Sequence, residues 1–265
     1  MKQTEFSGTE PTVKLTSTPD EGAALKELAP TGKLRVGVVF APAVSTFFVV
    51  KDADDRPRGV TVDLGAAIAK ALGVPVEFIV VPNSGELTDA VEKEQIDVTF
   101  MPVDEERRKR VEFGPAYFLI ESTCLVQGGS GFKTVGDLNR PSVRVAGISN
   151  TTTIRSTVRV LQSATVIPVP SVGEAMDMLC YGRVDAVALS RDVLSTYQAR
   201  IPGSRVLEGH LHTTGIAIAV PKRRPSALAH VSAFLEDAKA SGLIRRVFDR
   251  HGLQSDPVAP SEGAK

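Results

Sequence analysis

The stretch with the clearest chemical content is Ile96–Tyr117, where a run of cations, Arg107–Arg110, follows an acidic turn at residues 104–106. Apolar residues alternate from Ile96 to Phe100 and predict a strand that ends just before these charges. An arginine at the end of a strand offers a planar, permanently charged fork of donors that suits a carboxylate. A charge run is equally typical of a solvated turn, so this stretch alone leaves both interpretations open.

The surrounding sequence indicates a repeated α/β unit. Strand and helix patterns alternate with short links before residue 102 and again after residue 142, which favours parallel sheets covered by helices. One unit carries Ile96-Asp97-Val98 after a helix, and the other carries Val184-Asp185-Ala186 after a helix. We therefore predict an α/β fold of two lobes on one plan.

Two extended segments, near residues 118–126 and 210–217, are predicted to connect the lobes. Ligands of open α/β sheets bind beyond the carboxyl ends of the strands, so two such lobes would face each other across a small-molecule cleft. The predicted organisation is a flexible tail at 1–29, a first lobe at 30–119 plus 216–253, a second lobe at 120–215, and a flexible tail at 254–265.

Composition narrows the class of protein. The chain has 265 residues, of which 42% are hydrophobic and 23% charged, with 31 basic and 31 acidic side chains. This balance supplies no basic field for nucleic acid, and no apolar run is long enough to span a bilayer. The first 30 residues show no signal-peptide core, so we expect a mature form from which a leader has been removed.

The residues that could bind metals or form a disulfide give weak signals. His210 and His212 lack metal-ligand spacing, and no cofactor motif is present, so we expect neither a metal nor a cofactor. Cys124 and Cys180 lie among apolar residues, which predicts small buried side chains and leaves a disulfide between them open.

Six segments together resemble the family 3 extracellular solute-binding proteins of polar amino-acid ABC transporters. The resemblance spans about residues 30–253. The matching segments are Gly59-Val-Thr-Val-Asp-Leu64 with the helix after it, Ile96-Asp97-Val98, Glu106-Arg107 shortly before Val111-Glu-Phe-Gly-Pro-Ala-Tyr117, Val145–Thr152, Gly182-Arg-Val-Asp-Ala186, and Gly215–Lys222.

This resemblance implies a type II periplasmic binding protein fold that closes on a small polar solute. It implies that Arg107 pairs with the ligand's carboxylate, and that the turn Asn150-Thr151-Thr152 adds a hydroxyl and backbone N–H groups at a helix N-terminus, where an anion is favoured. From the residues alone, that turn is an ordinary helix cap. The resemblance further implies a periplasmic protein that works with a membrane permease. We expect a monomer, because a symmetric dimer would block lobe closure.

Several residues depart from the family pattern and suggest a changed pocket. Ser190 stands where the family has an aspartate for the ligand's ammonium, and Phe100, Pro102 and Asp104 replace small or hydroxyl residues before Arg107. Asp104 is expected either to hold Arg107 or to take over as the ammonium partner. Further ligand contacts are expected from Glu121 at the crossing and from Phe47, or alternatively Phe48, as a replacement for the missing first-lobe aromatic.

Two other functions remain open at this point. The same fold serves a dehydratase that acts on cyclic carboxylates such as prephenate or arogenate, and such an elimination needs a general acid or base near the substrate. Glu86, Asp104, Glu121 and His212 are the available residues. A sensory or effector-binding domain of a longer protein is the third hypothesis, although no helix-turn-helix supports it.

Overall fold

A computed structural model of the chain describes residues 21–41 and 45–261. Its strands are β1 (Leu34–Phe40), β2 (Phe48–Lys51), β3 (Pro57–Arg58), β4 (Val76–Val81), β5 (Val98–Pro102), β6 (Val111–Val126), β7 (Arg144–Ile148), β8 (Thr165–Val169), β9 (Ala186–Ser190), β10 (Arg205–Val206) and β11 (His212–Pro221). Its helices are α1 (Glu21–Leu28), α2 (Val60–Leu72), α3 (Ser84–Glu92), α4 (Glu105–Arg108), α5 (Thr152–Val160), α6 (Val172–Cys180), α7 (Arg191–Gln198), α8 (Pro225–Ala240) and α9 (Leu243–Arg250), with a short 3-10 helix at Val135–Leu138.

The strands form two parallel groups joined by two long antiparallel strands. In the first group, β1 pairs in parallel with β2, β4 and β5, and in the second group β7 pairs in parallel with β8 and β9. The long strands β6 and β11 pair with each other, while β11 also pairs with β5 and β6 with β9. The predicted fold of two α/β lobes with two extended crossings is therefore confirmed.

We call the elements α1–β5, α4, α8 and α9 the first lobe, the elements β7–β10 the second lobe, and β6 and β11 the hinge strands. The predicted lobe boundaries, at 119/120 and 215/216, fall inside the hinge strands and stay a prediction. Buried apolar residues fill the space between sheet and helices in both lobes. In α2, for example, Leu64 and Ile68 lie one turn apart and are fully buried, and Gly73 ends the helix in the left-handed conformation.

The predicted tails are wrong where the structure describes them. Residues 21–28 form α1, which buries Ala24 and Leu28, and the Glu27 carbonyl accepts a hydrogen bond from Arg224 Nη1 at 2.8 Å. At the other end, the Ala259 N–H donates to the Tyr117 carbonyl at 2.8 Å. Residues 1–20 and 262–265 lie outside the described residues.

The cysteines differ from each other. Cys124 is buried, as expected, but Cys180 at the end of α6 is exposed, and both are free thiols. The apolar sequence around Cys180 reflects the buried face of α6, formed by Met176 and Leu179, and Cys180 itself lies off that face. Burial raises the pKa of the Cys124 thiol to about 12, so that side chain is an inert core residue.

Candidate functional site

Arg107 lies in the short helix α4, directly beyond the carboxyl end of β5, and its side chain is buried between the lobes. Nη1 donates to the Pro102 carbonyl at 2.8 Å, and Nη2 donates to Ser84 Oγ at 2.7 Å. Nη2 also reaches across to the Asn150 carbonyl of the second lobe, at 3.4 Å. The guanidinium therefore contacts both sides of the cleft.

The partners of this guanidinium are all neutral oxygens. Within the described part of the chain, no carboxylate forms an ion pair with Arg107, and its Nε has no hydrogen-bond partner. Burial lowers the pKa of Arg107 to about 9, well below its ordinary value, although the nearby Asp104 carboxylate raises it. A buried cation without a counter-charge is costly, so this position favours an anion.

Opposite Arg107, the turn before α5 presents its backbone and hydroxyl groups to the cleft. Asn150 has a positive φ of 58°, a conformation that asparagine tolerates better than most residues. Thr151 is the N-cap of α5, because its hydroxyl accepts from the Ile154 N–H at 3.2 Å and donates to the Ile148 carbonyl at 2.8 Å. The first N–H groups of a helix have no partner inside the helix and attract negative charge.

A cavity of about 30 Å³ lies between these two groups. It is lined by Phe47, Phe48, Ser84, Pro102, Ile120, Ser122, Thr151, Thr152, Thr153, Leu189 and Ser190. This volume has room for a water molecule or two, whereas small-molecule sites usually enclose roughly 300–1,000 Å³. A solute therefore enters this cavity only when the lobes move apart.

The lobes are held together by polar contacts beside the cavity. The Asn83 side-chain amide donates to the Pro170 carbonyl of the second lobe at 3.3 Å, and Arg155 of α5 pairs with Asp104 of the first lobe. The backbone of Gly85 packs closely against Asn150. These contacts define a closed arrangement of the two lobes.

The two oxygens of Asp104 have different roles. Oδ1 accepts from the Arg107 N–H at 2.8 Å and caps α4, while Oδ2 pairs with Arg155. Burial acts to raise the pKa of Asp104, but the hydrogen bonds from Arg155 and from the Arg107 N–H hold it below its ordinary value. The pair therefore stays charged at neutral pH.

Replacing Asp104 by asparagine is expected to shift the protein toward open lobes. Asparagine caps a helix as well as aspartate does, so α4 is kept while the interlobe charge pair is lost. A partly exposed pair of this kind contributes up to about 1 kcal/mol, so we expect the open population to rise by up to roughly fivefold.

Small-angle X-ray scattering measures this shift as an increased radius of gyration without ligand. Glu106→Gln is the matched control, because Glu106 pairs at 2.6 Å with Lys109, the residue that follows α4 in the same lobe. An Asp104→Asn protein as compact as the wild type would show that the ion pair does not hold the lobes.

A second cavity, of about 400 Å³, includes Asp104 in its lining. Its walls include Thr152, Asp104, Arg155, Arg159 and His212. His212 contributes two buried ring nitrogens that have no hydrogen-bond partner among the described residues. Burial, aided by Arg159, lowers the pKa of His212 from 6.5 to about 4, so its ring is neutral at physiological pH.

The stability of the protein is expected to fall as the pH is lowered from 6.5 to about 4. In this window the unfolded chain protonates His212 while the folded protein does not, so the contribution is complete above pH 6.5 and decreases through the window. Melting temperatures of wild type and His212→Gln across this range test the effect, with the exposed His210→Gln as control. If the His212→Gln protein loses stability on acidification as steeply as the wild type, His212 is not the cause of the pH dependence.

The structure gathers only some of the predicted site residues. Phe47, Thr151, Thr152 and Ser190 line the cavity, Arg107 contacts its walls, and the Asn150 carbonyl faces Arg107. Three predicted residues lie elsewhere. Phe100 is in the core and packs against Tyr117, with 5.5 Å between the ring centroids. Asp104 is in the wall of the second cavity. Glu121 pairs with Arg191 at 2.5 Å.

Two other cavity-lining residues, Ser84 and Ser122, were not predicted from the sequence to be part of the site. Asn83 is the N-cap of α3, so the hydroxyl of the next residue, Ser84, is free to accept from Arg107. Ser122 lies directly opposite Ser190 in the pairing of β6 with β9, and its hydroxyl is 3.0 Å from that of Thr153. Ser122 is in the middle of β6 and reaches the cavity because it lies beside the carboxyl end of β9. This neighbourhood is visible only once the two strands are paired.

The described residues contain neither a metal-binding cluster nor a helix suited to cross a membrane. No cluster of three or more histidine, cysteine or acidic side chains is arranged to hold a metal ion there. None of the helices in that part of the chain combines the length and the apolar character needed to cross a membrane.

Two α/β lobes closed over a cleft, with hinge strands between them, define the class of periplasmic-binding-protein-like folds. The family model of the bacterial extracellular solute-binding proteins, family 3, matches residues 37–254. The chain therefore belongs to this family.

Solved structures agree with the fold. A mutant of the arginine-binding protein ArgBP from T. maritima superposes with a TM-score of 0.75 at 28% identity, covering 86% of this chain and 99% of that one. An ancestral amino acid-binding protein, AncCDT-1, described as a precursor of cyclohexadienyl dehydratase, gives a TM-score of 0.72 at 28% identity, covering 85% and 97%.

Among curated relatives, the glutamine-binding protein of Geobacillus stearothermophilus is 24% identical over 205 residues, covering 74% of this chain and 75% of its own length. Membrane-bound lytic murein transglycosylase F of Aeromonas hydrophila is 28% identical over 126 residues, covering 46% of this chain. The chain spans only 24% of that relative and 36% of the corresponding protein of Aeromonas salmonicida.

Proposed function

We propose that this protein is the solute-binding component of an ABC importer and captures a small carboxylate-bearing solute, an amino acid or a related organic acid, by lobe closure. It works outside the cytoplasmic membrane as a monomer and delivers its solute to a membrane permease. The family and its glutamine- and arginine-binding relatives support this role.

The observation that carries the proposal is the buried guanidinium of Arg107. It contacts both lobes and lacks an anionic partner among the described residues, and it lies against the Ser84 and Pro102 walls of the cavity. A ligand carboxylate supplies the missing charge through a charge-assisted, bidentate hydrogen bond. Because that ligand bridges both lobes, it binds the closed arrangement better and shifts the population toward it.

A thermal-shift screen of amino acids and organic acids, followed by isothermal titration calorimetry, tests this function. The expected result is one acid that binds saturably with one ligand per chain and is recovered unchanged. The methyl ester of the same acid is the control, since it keeps the shape of the ligand and removes the negative charge. An ester that binds as tightly as the acid would contradict the carboxylate anchor.

A dehydratase that acts on a cyclic carboxylate is the second candidate, favoured by the similarity to AncCDT-1. The lining of the cavity argues against it, because the polar side chains there are hydroxyls and none is a carboxylate or histidine. Incubation with prephenate or arogenate, followed by a search for an aromatic product, decides between the two. Formation of that product with turnover would replace the binding-protein proposal.

A further inference from the structure

The walls of the cavity contain no group that can neutralise an ammonium ion. Six of the lining residues are serines and threonines, and the others are Phe47, Phe48, Pro102, Ile120 and Leu189. Glu121, which lies between the lining residues Ile120 and Ser122, pairs with Arg191. Asp104, two residues beyond Pro102, uses one oxygen for the Arg107 N–H and the other for Arg155. An ammonium enclosed here would meet hydroxyls and aromatic rings only.

Asp192, two residues beyond the cavity-lining Ser190, is the other acid to consider. Its carboxylate oxygens are buried and have no hydrogen-bond partner in the described residues. Its charge acts on Tyr117 and on Asp256 in the C-terminal segment, and it is not part of the cavity lining. Asp192 therefore lies outside the cavity lining, and Ser190 is the polar group next to it that reaches the cavity.

Charge balance inside the closed cleft then separates two kinds of acid. An acid without an amino group carries one negative charge, which neutralises Arg107 and leaves the enclosed pair at zero. The corresponding amino acid is a zwitterion, so its ammonium adds a second buried cation that no carboxylate of the cavity lining compensates. Removing an unpaired charge from water is costly, and the first acid is therefore favoured.

Ser190 supplies a polar group suited to such an acid. It lies at the end of β9, is 4% exposed, and its Oγ has no hydrogen-bond partner among the described residues. Although it is the N-cap residue of α7, its side chain does not cap that helix. A serine hydroxyl donates a hydrogen bond to a ligand hydroxyl or carbonyl oxygen, which satisfies both groups.

We propose that the site selects small carboxylic acids with a 2-hydroxy or 2-oxo group in place of the 2-amino group. Arg107 binds the carboxylate and Ser190 donates to the oxygen on the neighbouring carbon. The apolar side chains of Phe47, Phe48 and Leu189 pack on the hydrocarbon part. This inference rests on the proposed carboxylate-binding function and specifies its ligand class.

Calorimetric titration of the full chain at neutral pH with two matched series tests the inference. One series is 4-methyl-2-oxopentanoate, 2-hydroxy-4-methylpentanoate and leucine, and the other is pyruvate, lactate and alanine. We expect the oxo or hydroxy acid of at least one series to bind at least roughly tenfold more tightly than its amino acid. An amino acid that binds as tightly as both counterparts would overturn the inference.

Two variants extend the test. Ser190→Asp supplies the missing carboxylate, so we expect it to reverse the preference toward the amino acid. Asp192→Asn is the control and keeps the wild-type ratio; an altered ratio would show that Asp192 is the ammonium partner and overturn the inference. The titrations of the wild-type protein test the inference by themselves. They can therefore overturn it even if the Ser190→Asp protein does not fold.

The outcomes separate the ligand class from the function beneath it. If amino acids bind through Arg107 in preference to both acid series, the binding function stands and the inference fails. If no carboxylate of any series or of the wider screen binds, both fail.

Discussion

Arg107→Ala is expected to reduce affinity for the carboxylate ligand by roughly 30- to 4,000-fold, because removing one partner of a buried charge pair costs about 2–5 kcal/mol. The alanine removes the donors that meet the carboxylate and leaves the ligand's charge buried without a partner. Titration calorimetry with the acid that binds the wild type most tightly measures the loss. Undiminished affinity would reject Arg107 as the anchor.

The same residue should affect stability in a different way from binding. Burial disfavours the charged form of Arg107, as its lowered pKa of about 9 indicates, and the side chain has no ion pair within the described residues. An Arg107→Met variant, similar in length and apolar, is therefore expected to lose binding while keeping or raising its melting temperature. Lys109→Ala, two residues away and exposed, is the matched control and should change neither property.

Gly85→Ala is expected to weaken ligand binding by preventing lobe closure, although Gly85 is not in the cavity lining. A Cβ at this position would lie 2.5 Å from Asn150 Cβ and 3.2 Å from the Asn150 carbonyl of the opposite lobe. Overpacking of this kind costs about 1–3 kcal/mol, which predicts a loss of affinity of roughly 5- to 150-fold. Each lobe should still fold, since the clash with Asn150 is relieved when the lobes separate.

Gly173→Ala is the matched control for this prediction. Both glycines are the second residue of a helix, after the N-caps Asn83 and Ser171, but a Cβ at Gly173 would meet only Ser171 Oγ, at 3.9 Å. Small-angle scattering with saturating ligand should show a compact control and wild type and an expanded Gly85→Ala protein. A Gly85→Ala protein that compacts and binds like the wild type would show that this contact does not limit closure.

Much of the fold could be predicted because its signals are local. Apolar spacing and Gly73 mark α2, and the echo of Ile96-Asp97-Val98 in Val184-Asp185-Ala186 marks the repeated lobe plan. The helix α1 was missed because eight residues in a polar segment carry too little periodicity, and its burial depends on α8 from the far end of the chain. Long-range packing of that kind has no local sequence signal.

The site was predictable only in part, for a related reason. Arg107 and Thr151 were assigned to the site through the family resemblance, because a charged turn and a helix cap are ordinary features by themselves. Phe100 was misplaced because β5 is buried on both faces, so alternation along it does not tell which face meets the cleft. Glu121 was misplaced because its partner, Arg191, is 70 residues away and adjacent only through the pairing of β6 with β9.

The most direct test of the account is a crystal structure of the protein with the acid that binds it most tightly. The account predicts closed lobes, a carboxylate within hydrogen-bond distance of the Arg107 guanidinium and of the N-terminus of α5, and the rest of the ligand against Phe47 and Ser190. A ligand held by other residues, with the Arg107 guanidinium still bonded only to Ser84, Pro102 and Asn150, would contradict it.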